Sequence, residues 1–432
     1  MRLASTAPAV LAALIAFSSA PVCEASGERR IADSAGANAG RKDRAGQPKQ
    51  GRSARAERTR ASDSPRQKSG GSAGPSKFAL PVDAEAESRL RSEFGRRFSL
   101  RRTAHYTIAY DADPVVVAFH ARLFEAVHDS FRAFFEAGGF RMPPLAHRLE
   151  AVMFAEREAF NAYARRVSPG LAAAAGFYSM RTDRIVLFDS FTDALYRKAS
   201  ANLTAAERNI AEVRNQLAVR KRGEQVILKY HDGSSLTLGR AKALRMVREK
   251  ERELRAGRRE LERHFADRNL TTTIHECVHQ LAYNLGVQSP LADNPKWLGE
   301  GLATYFETMG YRAQGDSGQI NPTRLDAWRE AAAGGRLIPL ERLIGDDSVF
   351  DVTSSSASTA YGQAWALVHY LLEKKPEPFF DYLRRTAASR RSGHGQSQGQ
   401  GQAAERLRIF KAAFGNDLSS FDRRWRRYMS SL

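Results

Sequence analysis

Cysteine is almost absent from this sequence, with two among 432 residues. Cys23 lies in an N-terminal segment that we expect to be removed on export, which leaves Cys277 without a partner. An intrachain disulfide is therefore excluded in the mature chain. Cys277 lies within a helical motif, where we interpret it as a small packing residue rather than as a ligand or a nucleophile.

Two other absences exclude particular classes of site and segment. The sequence has neither a glycine-rich phosphate loop nor a dinucleotide-binding fingerprint, so it offers no recognisable nucleotide site. Apart from the N-terminus, no stretch reaches the ~18 consecutive apolar residues that a membrane-spanning helix needs. We therefore predict no transmembrane helix after signal cleavage.

The N-terminus has the pattern of a secretory signal, because Arg2 precedes an apolar run from Leu3 to Phe17. Cleavage after Ala25 fits best, since cleavage after Ala20 would leave a proline at the first mature position. An exported protein of the periplasm, the cell envelope or the extracellular space is predicted. A lipoprotein anchor at Cys23 remains an alternative, although the residues before it make a poor lipobox.

Positive charge exceeds negative charge, and the formal net charge is +19. The region 26–80 is rich in Gly, Ser, Gln and Arg and poor in large apolar residues, so it is predicted to be a disordered basic linker. It could hold an anionic envelope polymer, a lipid surface or nucleic acid, or act only as a solvated spacer. No aromatic residues alternate with its arginines, which argues against a specific nucleic-acid partner.

The chemistry centres on the sequence His275-Glu-Cys-Val-His279. In a helix, residues four apart lie on one face, so the two imidazoles can bind one metal ion. Glu276 lies beside that face, where a carboxylate can accept a proton from an activated water. The flanking Thr271 to Thr273 and Gly286 predict where this helix begins and ends.

A third ligand is available 21 residues later. Catalytic zinc takes three protein ligands and leaves a position open for water, and Glu300 can supply the third. Pro295 suits the first turn of a second helix. Gly299 and Gly301 leave that helix without bulky side chains, so the two helices can approach closely. The pattern predicts a Zn²⁺ site.

The segments HECVHQLAYNLG and PKWLGEGLATYFE resemble the gluzincin metallopeptidases, and within them a bacterial peptidase-MA-like family often labelled DUF1570. The likeness extends from about Gly176 to Leu367. It implies that His275, His279 and Glu300 are zinc ligands and that Glu276 is the general base.

The resemblance also identifies candidate supporting residues. Thermolysin-like members place an Asp four residues after the glutamate ligand, where this chain has Thr304. Glu307, two turns beyond Glu300, is the replacement that we expect to orient a histidine. Tyr361, at the expected start of a later helix, is similar to an oxyanion donor, although it could equally be a core aromatic. A substrate peptide is expected to add to a sheet edge formed by 176–180 or by 185–188.

The predicted fold class is α+β and mostly helical, with a small mixed sheet above the zinc helix. The predicted parts are a signal peptide (1–25), the linker (26–80), an N-terminal α/β part (81–200), a helical-hairpin insertion (201–268), the zinc-binding helices (269–345) and a helical C-terminal region (346–432).

These observations together predict an exported zinc metallopeptidase that acts on a peptide or protein substrate. Two alternatives remain open. One is a zinc amidase that acts on cell-wall cross-links, and the other is an inactive gluzincin-like binding module whose basic linker holds an envelope polymer.

Overall fold

The computed structural model describes residues 22–24, 80–81, 83–229, 234–309, 320–351, 356–389 and 398–432. Its strands are β1 Val22–Glu24, β2 Ser99–Arg102, β3 Tyr106–Tyr110, β4 Leu149–Phe154, β5 Gly176–Ser179, β6 Arg184–Phe188, β7 Gln225–Lys229 and β8 Ser235–Gly239. Its α-helices are α1 Ala84–Phe94, α2 Pro114–Ala137, α3 Arg157–Val167, α4 Ala194–Ala218, α5 Arg240–Asn284, α6 Lys296–Met309, α7 Pro322–Ala333, α8 Leu340–Gly345, α9 Ala357–Lys374, α10 Pro376–Ala388, α11 Gln398–Phe414 and α12 Leu418–Ser430. The predicted α+β class is confirmed.

Five strands form a mixed sheet in the order β2-β3-β4-β6-β5. The three central strands β3, β4 and β6 are parallel, and both outer strands pair antiparallel to their neighbours. The central strands are buried and rich in apolar residues, as expected for strands covered on both faces. Of the two segments predicted as a sheet edge, 176–180 contains the edge strand β5, whereas 185–188 lies in β6, between β4 and β5.

Helix α2 packs its apolar face against α5. Asp113 caps its first turn by accepting a hydrogen bond from the Val115 amide at 2.7 Å, and Pro114 takes the first helical position. Val117, Phe124 and Phe131 lie on the buried face. They belong to the same core cluster as Ile274 and Val278 of α5, so the sheet, α2 and α5 share one hydrophobic core.

Helix α5 is 45 residues long and passes without interruption from the predicted insertion into the HExxH motif. The expectation that Thr271 to Thr273 precede the helix is therefore wrong. Threonines can remain inside a helix by bonding back one turn. Thr271 Oγ1 bonds the Asp267 carbonyl at 2.8 Å, and Thr273 Oγ1 bonds the Asn269 carbonyl at 2.7 Å. The predicted stop is confirmed, because Gly286 follows the helix with a φ of 78°.

The insertion is a helical hairpin of α4 and the first half of α5. Its core is separate from the main one and includes Leu203, Ile210, Leu254 and Leu261. A β-hairpin of β7 and β8 joins the two helices, and β1 pairs with β7. The predicted signal peptide and linker lie outside the described residues, apart from 22–24 and Leu80.

The C-terminal helices enclose α9, which is buried along almost its whole length. Its Trp365 is fully buried, as are Trp297 of α6 and Trp425 of α12. Trp297 packs against Tyr382 of α10 and Phe410 of α11, and α6 contacts both α5 and α9. Among the described residues, no helix combines the length and the apolar character needed to cross a membrane.

Candidate metal centre

Two helices bring the three predicted ligands together. His275 and His279 lie one turn apart on α5, and Glu300 lies in the first turns of α6. The His275 Nε2 atom is 3.1 Å from Glu300 Oε2 and 3.2 Å from His279 Nε2, and His279 Nε2 is 3.6 Å from Glu300 Oε2. The two imidazole planes cross at 76°, so their nitrogens converge on one region.

The loop between α5 and α6 sets this geometry. After Gly286, the Gln288 amide bonds back to the Ala282 carbonyl at 2.8 Å, which turns the chain. Pro295 accepts the first helical hydrogen bond of α6 from the Leu298 amide at 3.1 Å. The prediction that Pro295 starts the second helix is confirmed to within one residue.

Zinc fits this triangle of ligand atoms. With metal–ligand bonds of 2.0–2.1 Å, the ligand atoms of a tetrahedral site lie about 3.3 Å apart. The three distances here, 3.1, 3.2 and 3.6 Å, bracket that value. Formal charge also fits. Glu276 and Glu307 are buried and Glu300 is half-buried beside one buried arginine, Arg324, so a divalent cation restores neutrality.

The carboxylates make the centre strongly attractive to a cation. Burial raises the pKa of Glu300, but the charges and hydrogen bonds of His279 and His275 outweigh it and hold the pKa well below the usual range. Burial lowers the pKa of His275, but its contacts with Glu300 and Glu307 outweigh that effect and raise the pKa to about 10. A proton or a metal ion at Nε2 is thus favoured in this environment.

Glu307 holds the other side of the His275 ring. Its Oε1 atom lies 3.1 Å from His275 Nδ1, which leaves Nε2 directed at the other ligands. Thr304 does not reach the ring, because its hydroxyl bonds the Glu300 carbonyl at 2.7 Å in its own helix. Glu307 thus lies beside the His275 ring, as expected from the sequence, and Thr304 does not take that position.

Glu307 is itself held by two residues that the sequence analysis missed. Arg324 bonds both carboxylate oxygens, with Nη2 2.7 Å from Oε1 and Nε 3.2 Å from Oε2. Asn321 donates to Oε2 at 3.0 Å. Burial raises the pKa of Glu307, but the charge of Arg324 and the contacts with His275 lower it to about 2. The sequence signal at Asn321-Pro322 indicates only a helix start, and Asn321 does cap α7.

Glu276 faces the sheet edge. Its Oε2 atom accepts a hydrogen bond from the backbone amide of Tyr178 in β5 at 2.8 Å. Gly176 lets β5 lie this close to α5, because a Cβ atom there would be 2.7 Å from the Thr272 methyl carbon. The candidate base is therefore fixed against the strand that is expected to receive substrate.

Cys277 points away from the ligands. Its sulfur lies 3.1 Å from the Tyr106 hydroxyl, and burial raises the pKa of the thiol to about 12. The interpretation of Cys277 as a packing residue agrees with this placement.

Tyr361 lies at the centre. Its ring centroid is 6.4 Å from that of His275. Burial, together with the charges of Glu300 and Glu276, raises the pKa of Tyr361 well above its ordinary value, so the hydroxyl keeps its proton. Tyr361 lies one turn inside α9 rather than at its start, because the helix begins at Ala357.

The glycines of α6 have different neighbours. A Cβ atom on Gly299 would face the ligands, 3.2 Å from Gln288 Nε2 and 3.8 Å from His279 Cε1. A Cβ atom on Gly301 would face α9, 2.6 Å from Val368 Cγ2 and 2.7 Å from the Ala364 carbonyl oxygen. The expectation that both glycines serve the contact with α5 is therefore wrong for Gly301.

A second group with potential ligand atoms lies on α2 and just before β3. Ligand atoms of His105, His128 and Asp129 lie within 4.8 Å of one another, so sequence spacing alone missed this cluster. The two imidazoles stack with centroids 3.7 Å apart and planes at 21°, and His105 Nδ1 is bonded to Glu125 at 2.6 Å. Stacked rings direct their nitrogens side by side instead of toward one point, which agrees with a structural role.

Comparisons with known proteins give one family match. The comparison with curated proteins found no match, and neither did the comparison with solved structures. Residues 269–392 match the family described as "Protein of unknown function (DUF1570)". That segment runs from the middle of α5 past α10 and contains every candidate ligand together with Glu307, Arg324 and Tyr361. The part of the chain that forms the candidate metal centre is therefore similar to the DUF1570 family.

Proposed function

We propose that the protein is a zinc-dependent hydrolase that cleaves peptide bonds. The observation that carries this proposal is the triangle of His275 Nε2, His279 Nε2 and Glu300 Oε2, whose sides match a tetrahedral zinc site. A carboxylate on the neighbouring residue, Glu276, is the partner that metal-assisted hydrolysis needs. His275, His279 and Glu300 would hold the ion.

A bound zinc ion would supply the polarisation that makes a water molecule nucleophilic and a carbonyl carbon electrophilic. Glu276 would accept the proton that this water loses on attack, and would pass it to the leaving nitrogen as the peptide bond breaks. The amide of Tyr178 fixes one oxygen of Glu276, which keeps the other oxygen free for the water. Tyr361 would donate a hydrogen bond to the developing oxyanion; its ring lies 6.4 Å from that of His275, and its raised pKa keeps the hydroxyl protonated.

The sheet edge supports a peptide as the substrate. Strand β5 pairs on one side with β6, and no other described strand covers its outer side. Extended peptides bind to such edges through main-chain hydrogen bonds. Along β5, backbone groups alternate between the β6 side and the outer side, so the Gly176 amide points to the same side as the Tyr178 amide, which already donates to Glu276. An added strand would use the remaining outward groups of β5, beside the candidate base.

The decisive experiment separates metal binding from proton transfer. We expect Glu276→Gln to keep about one zinc per chain and to lose hydrolysis, because the ligands are intact and the base is not. We expect Glu300→Ala to lose zinc as well. The exposed Glu341 gives the matched control, and Glu341→Ala should leave both quantities unchanged. Zinc is measured by elemental analysis of the purified full chain, and hydrolysis by mass spectrometry of a proteome-derived peptide mixture.

A Glu300→Ala variant that bound zinc as tightly as the parent would show that the third ligand is wrong. Cell-wall fragments are assayed in parallel with the peptides. Cleavage of these fragments alone would identify the amidase, whereas zinc binding without any hydrolysis would identify a binding module.

The role of Tyr361 is tested by Tyr361→Phe, which deletes only the hydroxyl. Loss of one oxyanion donor lowers kcat by about 10²–10³-fold. We expect that fall in kcat with KM, zinc content and Tm nearly unchanged. Full activity in this variant would leave Tyr361 as a packing residue between α9 and the centre.

A further inference from the structure

The end of the helical hairpin farthest along α5 from the candidate metal centre carries a local excess of positive charge. Between residues 215 and 248 the sequence has eight basic and two acidic residues, a net charge of +6. The basic residues are Arg220, Lys221, Arg222, Lys229, Arg240, Lys242, Arg245 and Arg248. Nearer the catalytic part, charges of the same hairpin are paired across its two helices, as in Arg214 with Glu251 and Arg258 with Glu207.

We define the distal tip as residues 219–222 together with the first turns of α5, 240–245. Arg240 fixes its shape, because its Nε atom caps the end of α4 at the Leu217 carbonyl at 2.8 Å and its backbone amide bonds the Glu224 carbonyl at 3.0 Å. The side chains of Lys221, Arg222, Lys242 and Arg245 are exposed. The tip is therefore a built surface and not a frayed helix end.

An exposed aliphatic side chain lies within this charged surface. Val219 is 86% exposed, the highest value among the large hydrophobic residues of the described chain. Leu236, on the adjoining β8, is also exposed. A soluble polyanion gains nothing from an aliphatic side chain beside its binding site. Cations around an exposed apolar residue suit the interface of a bilayer, where headgroups bind the cations and the apolar group enters the acyl boundary.

We propose that the distal tip is a docking surface for membranes rich in anionic lipid headgroups. Val219 enters the interfacial layer, and Arg220 to Arg222 bind the headgroups. Residues 240 and 275 are 35 residues apart on one helix, which places the tip roughly 50 Å from the candidate metal centre at 1.5 Å per residue. Docking and catalysis are thus carried by separate surfaces, and tip variants are expected to leave the metal centre unchanged.

A fluorescent reporter at the tip tests the contact directly. All four native tryptophans are at most 2% exposed, so a fifth indole at an exposed position has a distinct emission. The full chain carrying Val219→Trp is titrated with vesicles of equal parts phosphatidylglycerol and phosphatidylcholine, and with phosphatidylcholine alone. We expect a blue shift, and quenching by brominated acyl chains, with the anionic vesicles only. Leu291→Trp, at a residue 80% exposed and outside the hairpin, is the matched control and should give neither signal.

Charge removal tests the headgroup contacts in the same reporter chain. Each basic residue near an anionic surface strengthens binding about fivefold, so Arg220→Gln/Lys221→Gln/Arg222→Gln should raise the lipid concentration at half-quenching about 100-fold. A control that removes the same charge from the shaft of the hairpin, Arg208→Gln/Arg255→Gln/Arg259→Gln, should shift it by less than about threefold. An unchanged Tm in each variant shows that the hairpin is folded.

Three results would overturn the proposal. The first is a reporter at position 219 that brominated lipid does not quench. The second is equal loss in the tip and shaft variants, which would indicate net charge alone. The third is a combined result: heparin displaces the chain from vesicles, and the emission of the indole at position 219 does not shift. That result would identify the distal tip as a surface for soluble polyanions.

Discussion

The buried pair of Arg324 and Glu307 offers the sharpest test of how the candidate centre is built. Their side chains are 8% and 5% exposed, and two hydrogen bonds of 2.7 and 3.2 Å join them. We consider Arg324→Met, which keeps an unbranched side chain of similar length and removes the charge. The Glu307 carboxylate then stays buried beside His275, with a hydrogen bond from Asn321, the N-cap of α7, still in place.

Loss of one partner of a buried ion pair lowers the free energy of unfolding by about 3–5 kcal/mol, and we expect a loss of that size in Arg324→Met. The charge of Arg324 is the largest influence that lowers the pKa of Glu307 to about 2, against burial, which raises it. Without that charge, the carboxylate orients His275 less firmly. Loss of a residue that orients a ligand lowers metal affinity about 10–100-fold, and we expect the zinc affinity of Arg324→Met to fall within that range.

The assay is urea unfolding of the metal-free chain together with competitive zinc titration. Arg329 lies on the same helix with a side chain 51% exposed, so Arg329→Met is the matched control and should change the free energy of unfolding by less than about 0.5 kcal/mol. A double variant, Glu307→Gln/Arg324→Met, should be less destabilised than the sum of its single changes, since no charge is left unpaired. Loss of under about 1 kcal/mol in Arg324→Met, with zinc affinity unchanged, would refute the reasoning.

Two further predictions concern packing and pH. Gly301→Ala places a Cβ atom against Val368 and a backbone carbonyl, and we expect this clash to cost about 3 kcal/mol against a helix-propensity gain of about 1 kcal/mol. The free energy of unfolding in urea should therefore fall by about 2 kcal/mol, whereas Gly299→Ala should be neutral or stabilising. Equal stability of the two variants would contradict the contact between α6 and α9. Burial lowers the pKa of His120 to about 4. As pH falls below 6.5, the unfolded chain therefore protonates this imidazole before the folded chain does. The free energy of unfolding should drop by about 1.4 kcal/mol per pH unit until about pH 4. In His120→Gln, the free energy of unfolding should fall less steeply between pH 6.5 and pH 4. An unchanged slope in this variant would show that His120 does not contribute to the loss of stability in acid.

Much of the candidate centre could be predicted from the sequence, because its ligands follow local rules. The spacing of His275 and His279 requires only a helix, and any helix puts residues four apart on one face. Glu300 and Glu307 are likewise two turns apart, so once α6 brings the first close to His275, the second can reach the same histidine from two turns further along α6. The α+β class and the strands follow from short apolar runs with the right period.

Only the tertiary structure decided which residues complete that arrangement. Arg324 and Asn321 reach Glu307 because α7 packs against α9, which also packs against α6, and nothing in their own segment indicates a buried acid as the partner. The sequence also did not indicate that α5 is continuous. Thr271 and Thr273 have the pattern of a helix start, but their hydroxyls bond carbonyl groups one turn earlier in the same helix. The edge position of β5 depends on pairing between distant strands. A sequence period specifies which face of an element is apolar, but the neighbour that covers that face is chosen by packing across the whole chain.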